Sequence, residues 1–251
     1  MEFKVLGPIV AVNKRLVFTP SAPKVKQVLA LLVLRANHVV SLETIIDELW
    51  GDNPPRTAIT TAQTYIYQLR RAFVMELGDK LGDRAIVTAP PGYVLRTAEE
   101  SLDFRDFERL AERARACRTA GDIEASARWT ESALAMWQGV PLANVERGTV
   151  LQNYVSRLEE KRVSVRELHI RSAMELKRYH ELVAELRSLV VEYPFNEWFQ
   201  TQLVLALNKA GRRVEALQAY QKARVLLRDE LGLDPSDDLR RAQQEVLNSP
   251  S

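Results

Sequence analysis

The chain has 251 residues, 46% of them apolar and 27% charged, with a formal net charge of +2. This is globular composition, and it excludes a wholly disordered chain or a polybasic coat protein. One cysteine, Cys117, excludes a disulfide framework and a cysteine-rich zinc site. No apolar run approaches the roughly 18 residues of a membrane span. Met1-Glu2-Phe3-Lys4-Val5 lacks the pattern of a signal peptide. The expected location is therefore the cytoplasm.

Phe3-Lys4-Val5-Leu6, Ile9-Val10-Ala11-Val12 and Arg15-Leu16-Val17-Phe18 are short β-rich runs separated by Gly7-Pro8 and Asn13-Lys14, which predicts a small antiparallel sheet. A helix follows, with Ser21 as its expected cap and Pro23 in its first turn. Val25, Val28, Leu29, Leu32 and Val33 form its apolar stripe, and Asn37 its stop. Ser41 is expected to cap a second helix carrying Leu42, Ile45, Ile46 and Leu49, ended by Gly51 and Pro54-Pro55.

The third helix, from about Arg56 to Leu77, carries the functional signal. At about 100° per residue, Ile59, Ala62, Ile66, Leu69 and Phe73 fall on one side. Thr57, Thr60, Thr61, Thr64, Tyr67, Gln68 and Arg71 fall on the other, and no carboxylate occurs between Arg56 and Met75. A solvated helix usually mixes acids with bases, whereas a surface facing phosphates does not. Glutamine can bond adenine edges bidentately, and threonine offers a hydroxyl together with a methyl for thymine. After the turn Gly78–Asp83, Ala85-Ile86-Val87-Thr88 and Tyr93-Val94-Leu95-Arg96 flank Ala89-Pro90-Pro91-Gly92 as strand, turn and strand.

Glycine and proline punctuate short segments up to about residue 97, and longer helical stretches follow. This predicts a division into 1–97 and 98–251. The first part carries 12 Lys and Arg against 8 Asp and Glu, the remainder 23 against 25. The basic excess thus sits in the smaller part, as it would in a nucleic-acid-binding module.

The order of sheet, three helices and hairpin resembles the OmpR/PhoB type of winged helix-turn-helix, an α+β fold. More closely, the chain resembles the Streptomyces antibiotic regulatory proteins. The matching stretches are Pro23-Lys24, Leu29-Ala30-Leu31-Leu32-Val33-Leu34, Val39-Val40-Ser41 and Ile46-Asp47-Glu48-Leu49-Trp50-Gly51. They continue in Gln63-Thr64-Tyr65-Ile66, Leu69-Arg70-Arg71-Ala72 and Thr88-Ala89-Pro90-Pro91-Gly92-Tyr93. The resemblance implies that the third helix enters the major groove, with Thr60, Thr61, Thr64, Tyr67, Gln68 and Arg71 as its contact surface. Lys24, Lys26, Arg70, Arg84 and Tyr93 would serve the DNA backbone and the wing. Arg70, nearer the apolar side, is expected to brace the helix or touch phosphate. The wing tip departs from many OmpR-type wings in carrying no charge.

From Phe104 onward the chain is helical, with helices expected at 103–119, 122–138, 149–177, 180–192, 196–210, 212–231 and 236–247. Ala120-Gly121 and Ala210-Gly211 recur 90 residues apart, each ahead of a helix with small residues. The pattern resembles degenerate tetratricopeptide repeats in an all-α domain. Trp129, Trp137, Phe195, Trp198 and Phe199 are expected in the core. Ala135-Met136-Trp137-Gln138-Gly139, Pro141-Leu142, Tyr193-Pro194 and Asp229-Glu230-Leu231-Gly232-Leu233-Asp234-Pro235 resemble the bacterial transcriptional activator domain of the same family.

That family implies a sequence-specific transcriptional activator, commonly of antibiotic or other secondary-metabolite genes. It implies double-stranded DNA as partner, with two copies on direct promoter repeats as a homodimer. It also implies contact with RNA polymerase, including a sigma factor, and association with the nucleoid when promoter-bound. No phosphate-binding glycine loop, nucleophile motif or metal-ligand spacing occurs, so no enzyme activity, cofactor or metal is expected. The rival reading is a tetratricopeptide-type adaptor whose winged helix serves protein contacts.

Overall fold

The structure, a computed structural model, describes residues 1–13, 16–77 and 85–248. The expected turns at Lys14 and at Gly78–Asp83, and Arg84, lie outside the described residues. Two antiparallel sheets and ten helices are described. They form two compact units, Met1–Arg115 with Arg128–Arg166, and Ala116–Ala127 with Glu167–Ser251.

The first sheet has the order β1 (Glu2–Lys4), β2 (Val10–Asn13), β3 (Leu16–Phe18). Its register pairs Phe3 with Ala11 and Ala11 with Phe18. With a side-chain period of two, these residues share one face. Phe3 and Phe18 meet Phe73 of α3 (Ala58–Leu77) edge-on, at 6.1 and 6.3 Å between ring centroids.

Helix α1 (Pro23–Leu34) is buried almost all round, from Val25 through Val28–Leu34, as a central helix must be. Its N-cap is Ala22, which makes no side-chain bond, so Ser21 does not cap it; Pro23 in the first turn lacks an N–H to be capped. The helix ends before Asn37, which adopts φ +66°. The Asn37 amide donates to the Thr97 carbonyl (2.8 Å) and accepts from the Thr97 N–H (3.2 Å), clipping the end of α1 to the residues after the hairpin. Ser41 does cap α2 (Leu42–Trp50), accepting from the Thr44 N–H at 3.0 Å.

The hairpin strands β5 (Ile86–Ala89) and β6 (Gly92–Leu95) join a two-residue strand, β4 (Val40–Ser41), in the order β4-β6-β5. Two residues carry no readable period, so β4 was not legible in the sequence. Its close approach requires Gly92, where a Cβ would lie 1.8 Å from the Val40 carbonyl oxygen.

Beyond the hairpin run a short 3₁₀ turn (Glu99–Ser101) and helices α4 (Asp103–Thr119), α5 (Ile123–Leu134), α6 (Thr149–Glu175), α7 (Tyr179–Glu192), α8 (Glu197–Lys209), α9 (Arg213–Leu231) and α10 (Asp237–Asn248). The winged helix followed by an all-α region is thus observed.

The first unit continues past the wing. Phe107 of α4 is fully buried and meets Trp137 edge-on at 5.2 Å. Backbone groups near β1 and β2 find their partners there as well. The Val5 and Leu6 N–H groups donate to the Asp103 carboxylate, and the Ile9 N–H donates to Asn144 Oδ1 at 2.7 Å. The Leu6 carbonyl accepts from the Gln138 N–H, and that of Val5 from Leu142.

In the second unit α8 packs against α7, α9 and α10, burying Phe199, Leu203, Val204 and Leu207. Ala216, Tyr220 and Ala223 are buried on α9. Gly121 (φ +83°) and Gly211 (φ +75°) share a left-handed conformation, so the two Ala-Gly pairs play the same local part. Not every expected aromatic is in a core. Trp137 and Phe199 are buried, Trp129 and Trp198 half-buried, and Phe195 is 48% exposed because it precedes the first turn of α8. Among the described residues no helix is long and apolar enough to cross a membrane.

Candidate nucleic-acid interface

Helix α3 divides as its sequence predicts. Ala58, Ala62, Ile66, Leu69 and Phe73 are buried, and the opposite arc, about 120° wide, holds Thr57, Thr60, Thr61, Thr64, Tyr67, Gln68 and Arg71. Thr60, Thr64, Gln68 and Arg71 are exposed, Tyr67 is 59% exposed, and Thr61 is half-buried. Thr64 donates its hydroxyl to the Thr60 carbonyl at 2.9 Å, which leaves its methyl and an acceptor lone pair outward. Ile59 departs from the expected stripe: it is 55% exposed, lying in the first turn of α3 and off the centre of the buried arc. Arg56, also exposed, borders the same end of the helix and was not singled out as a contact from sequence.

The structure puts Arg70 to a different use from Arg71, one residue on. Its Nε donates to the Ile86 carbonyl (3.0 Å) and Nη2 to Thr88 Oγ1 (2.8 Å), and its guanidinium lies 5.6 Å from the centroid of the Tyr93 ring. It ties α3 to both strands of the wing. Tyr93 is 9% exposed beneath it, so neither residue joins the outward arc. The wing tip, Pro90 and Pro91, is exposed.

Lys24 and Lys26 are half-buried at the start of α1. The Lys24 ammonium donates to the Leu49 carbonyl (2.8 Å) and Gln27 Oε1 (3.2 Å), and lies 3.7 Å from the Glu146 carboxylate. Its ammonium is thus hydrogen-bonded twice and charge-paired within the protein.

Two carboxylates that tie the winged helix to the helices beyond it carry no mark in the sequence. Glu48 on α2 is 3% exposed. It accepts from the N–H groups of Gly148 (2.6 Å) and Leu151 (3.0 Å) at the start of α6, and from Gln27 Nε2 (3.0 Å). A carboxylate at a helix N-terminus meets both free donors and the positive end of the dipole. Asp103 opens α4 in a similar role toward β1. Burial pushes its carboxyl up to about 6, against the opposing pull of the Leu6 and Val5 N–H groups. No local signal marks Glu48: one helical step sets it about 100° from Leu49, and its backbone partners lie far along the chain at Gly148 and Leu151.

Comparison with known proteins agrees with this architecture. Residues 19–95 match the family model "Transcriptional regulatory protein, C terminal", and residues 102–247 match "Bacterial transcriptional activator domain". The regulatory protein DnrI of Streptomyces peucetius is 38% identical over 253 aligned residues, covering 99% of this chain and 93% of that protein. The regulatory protein AfsR of Streptomyces griseus is 33% identical, over 99% of this chain but 25% of its own length. Among solved structures, Mycobacterium tuberculosis EmbR in complex with a low affinity phosphopeptide superposes with a TM-score of 0.89 at 28% identity. That match covers 100% of this chain and 66% of EmbR.

Proposed function

We propose that this chain, which belongs to the Streptomyces antibiotic regulatory proteins and is thus a DNA-binding transcriptional activator, reads direct repeats in its promoters with the exposed arc of α3. The observation that carries this reading is the acid-free arc of Thr60, Thr61, Thr64, Tyr67, Gln68 and Arg71, opposite a fully buried stripe. Gln68 and Arg71 supply base-edge bonds, and the threonines supply methyl and hydroxyl contacts. Arg56 and the wing tip fix register on the backbone, and Lys26 reaches phosphate at the start of α1. Arg70 and Tyr93 hold the wing at its angle to α3. The target genes are those of a secondary-metabolite pathway.

One such helix carries few arginines, so a single copy binds weakly, and two copies occupy adjacent repeats as a homodimer. Residues 1–97 act as the reading module and 98–251 as the activating module, which stabilises the pair and contacts RNA polymerase with its sigma factor. The protein works in the cytoplasm, on the nucleoid when promoter-bound. A gel-shift titration on promoter DNA tests the reading surface. Gln68→Ala and Arg71→Ala should each cost about 1–3 kcal/mol and relax preference at the base each contacts. Unchanged affinity and selectivity in both variants would move the reading surface elsewhere.

A further inference from the structure

The first unit contains a cleft of about 530 Å³ with no part in the reading surface. Its walls come from the end of α1 and the turn after it, the first turns of α4, and the middle of α6. The volume falls within the range of small-molecule sites.

Its charge is one-sided. Arg35, Arg105, Arg157 and Lys161 line it, against a single carboxylate, Glu108. That carboxylate is already engaged: it accepts from Arg105 at 3.1 Å and from Lys161. Arg157 is exposed and has no hydrogen-bond or ion-pair partner among the described residues. Arg35 is held differently. Its Nε donates to the Tyr154 hydroxyl at 3.1 Å, and its terminal nitrogens have no partner among the described residues. A guanidinium fixed through Nε presents its remaining donors as a preformed fork for an oxyanion. Like charges gathered in a concave, partly desolvated place repel one another unless an anion joins them.

The floor is apolar. Leu34, Phe104 and Leu158 lie there, each 5% exposed. An inorganic anion would leave that floor unused, and so would a phosphodiester strand, which is polar along its whole length. A ligand that satisfies both surfaces carries one acidic group on an apolar body.

We propose that this cleft binds a small amphipathic organic anion, a carboxylate, sulfonate or phosphate carried on an aromatic or alicyclic frame. The site draws on elements from both the winged-helix and the activator sequence, and it stands independently of how α3 reads DNA.

The test is a fluorescence titration of the full chain, without DNA, with 8-anilinonaphthalene-1-sulfonate. Its uncharged analogue N-phenyl-1-naphthylamine serves as comparison. One saturable site is expected, with the uncharged analogue at least tenfold weaker. Arg157→Ala should weaken the sulfonate about tenfold, the scale of one hydrogen bond to a charged group, and Arg157→Glu should abolish binding. Because Arg157 is exposed and unpaired, both variants should keep the parent thermal midpoint. Lys222→Ala, in a separate cleft on α9, should leave the titration unchanged. Three results would overturn the proposal: no saturable binding, equal binding by the uncharged analogue, or binding that survives Arg157→Glu. Loss of binding in Lys222→Ala would overturn it too, by placing the site among the repeats.

Discussion

Replacing Glu48 by alanine removes the carboxylate that joins α2 to the start of α6. Three donors lose a partner: the Gly148 and Leu151 N–H groups and Gln27 Nε2. Gln27 keeps its bond to the Glu48 carbonyl at 2.8 Å, so two backbone donors are orphaned. Each orphan costs about 1–3 kcal/mol, and loss of the favourable charge at the α6 N-terminus adds up to about 1 kcal/mol. Relief of carboxylate desolvation offsets part of this. The expected net loss is about 3 kcal/mol, a large fraction of the stability of a domain this size. Urea unfolding followed by tryptophan fluorescence is the assay. Trp50, Trp129 and Trp137 lie in the first unit and Trp198 in the second, so the signal reports mainly the unit that should be affected. Glu48→Gln keeps one acceptor but turns an NH2 group toward an N–H, and should fall between parent and alanine. Gly148→Ala approaches the same contact from the other side, since its Cβ would lie 2.3 Å from the Glu48 carbonyl oxygen. If Glu48→Ala stays within about 1 kcal/mol of the parent, the carboxylate does not hold α6.

Three other outcomes follow from the same geometry. Asp103 has a folded value of about 6 against an ordinary 3.8, so the folded state holds its proton more tightly. Its contribution to stability is therefore greatest below pH 4 and is lost as pH rises through 6. Asp103→Asn, which cannot ionise, should gain about 2 kcal/mol relative to the parent between pH 4 and pH 7 in chemical denaturation; a flat difference would refute the assignment. Arg70→Ala frees the wing from α3, so gel shifts should show about tenfold weaker binding with unchanged base preference. A change in preference instead would place Arg70 among the reading residues. A fragment of residues 1–97 lacks Asp103, Gln138, Leu142, Asn144 and Gly148, which partner the β1–β2 backbone and Glu48. Circular dichroism should show no cooperative melt for it, whereas 1–166 should melt cooperatively.

The sequence disclosed the parts whose physics is local. The α3 stripe, the Ser41 cap, the hairpin and the run of seven later helices all rest on periodicity or turn chemistry within a few residues. What it hid depends on partners far along the chain. Lys24 looks like a free cation until Leu49 and Glu146 are placed beside it. Arg70 and Arg71 are adjacent and identical, yet a 100° step puts one against the wing and the other outward. Phe195 and Ile59 are apolar residues at helix starts, where a periodic pattern continues but the core does not. β4 exists only because Gly92 lets β6 approach Val40.

The placement of acids connects stability with recognition. A surface that approaches phosphates gains from every carboxylate kept off it, because repulsion there is long-ranged at low salt. Simply omitting acids from the fold would leave helix N-termini and strand N–H groups without anionic acceptors. Here Glu48 and Asp103 turn inward, where they take two backbone N–H groups each. Their negative charge is thereby spent on α6 and on β1, while α3 faces outward with Arg71 and no acid along residues 56–75. The same bonds join the winged helix and the first helices beyond it in one compact unit. A displacement of α2 relative to α6, or of β1 relative to α4, must break these bonds, so the winged helix and the first helices beyond it move together within this unit.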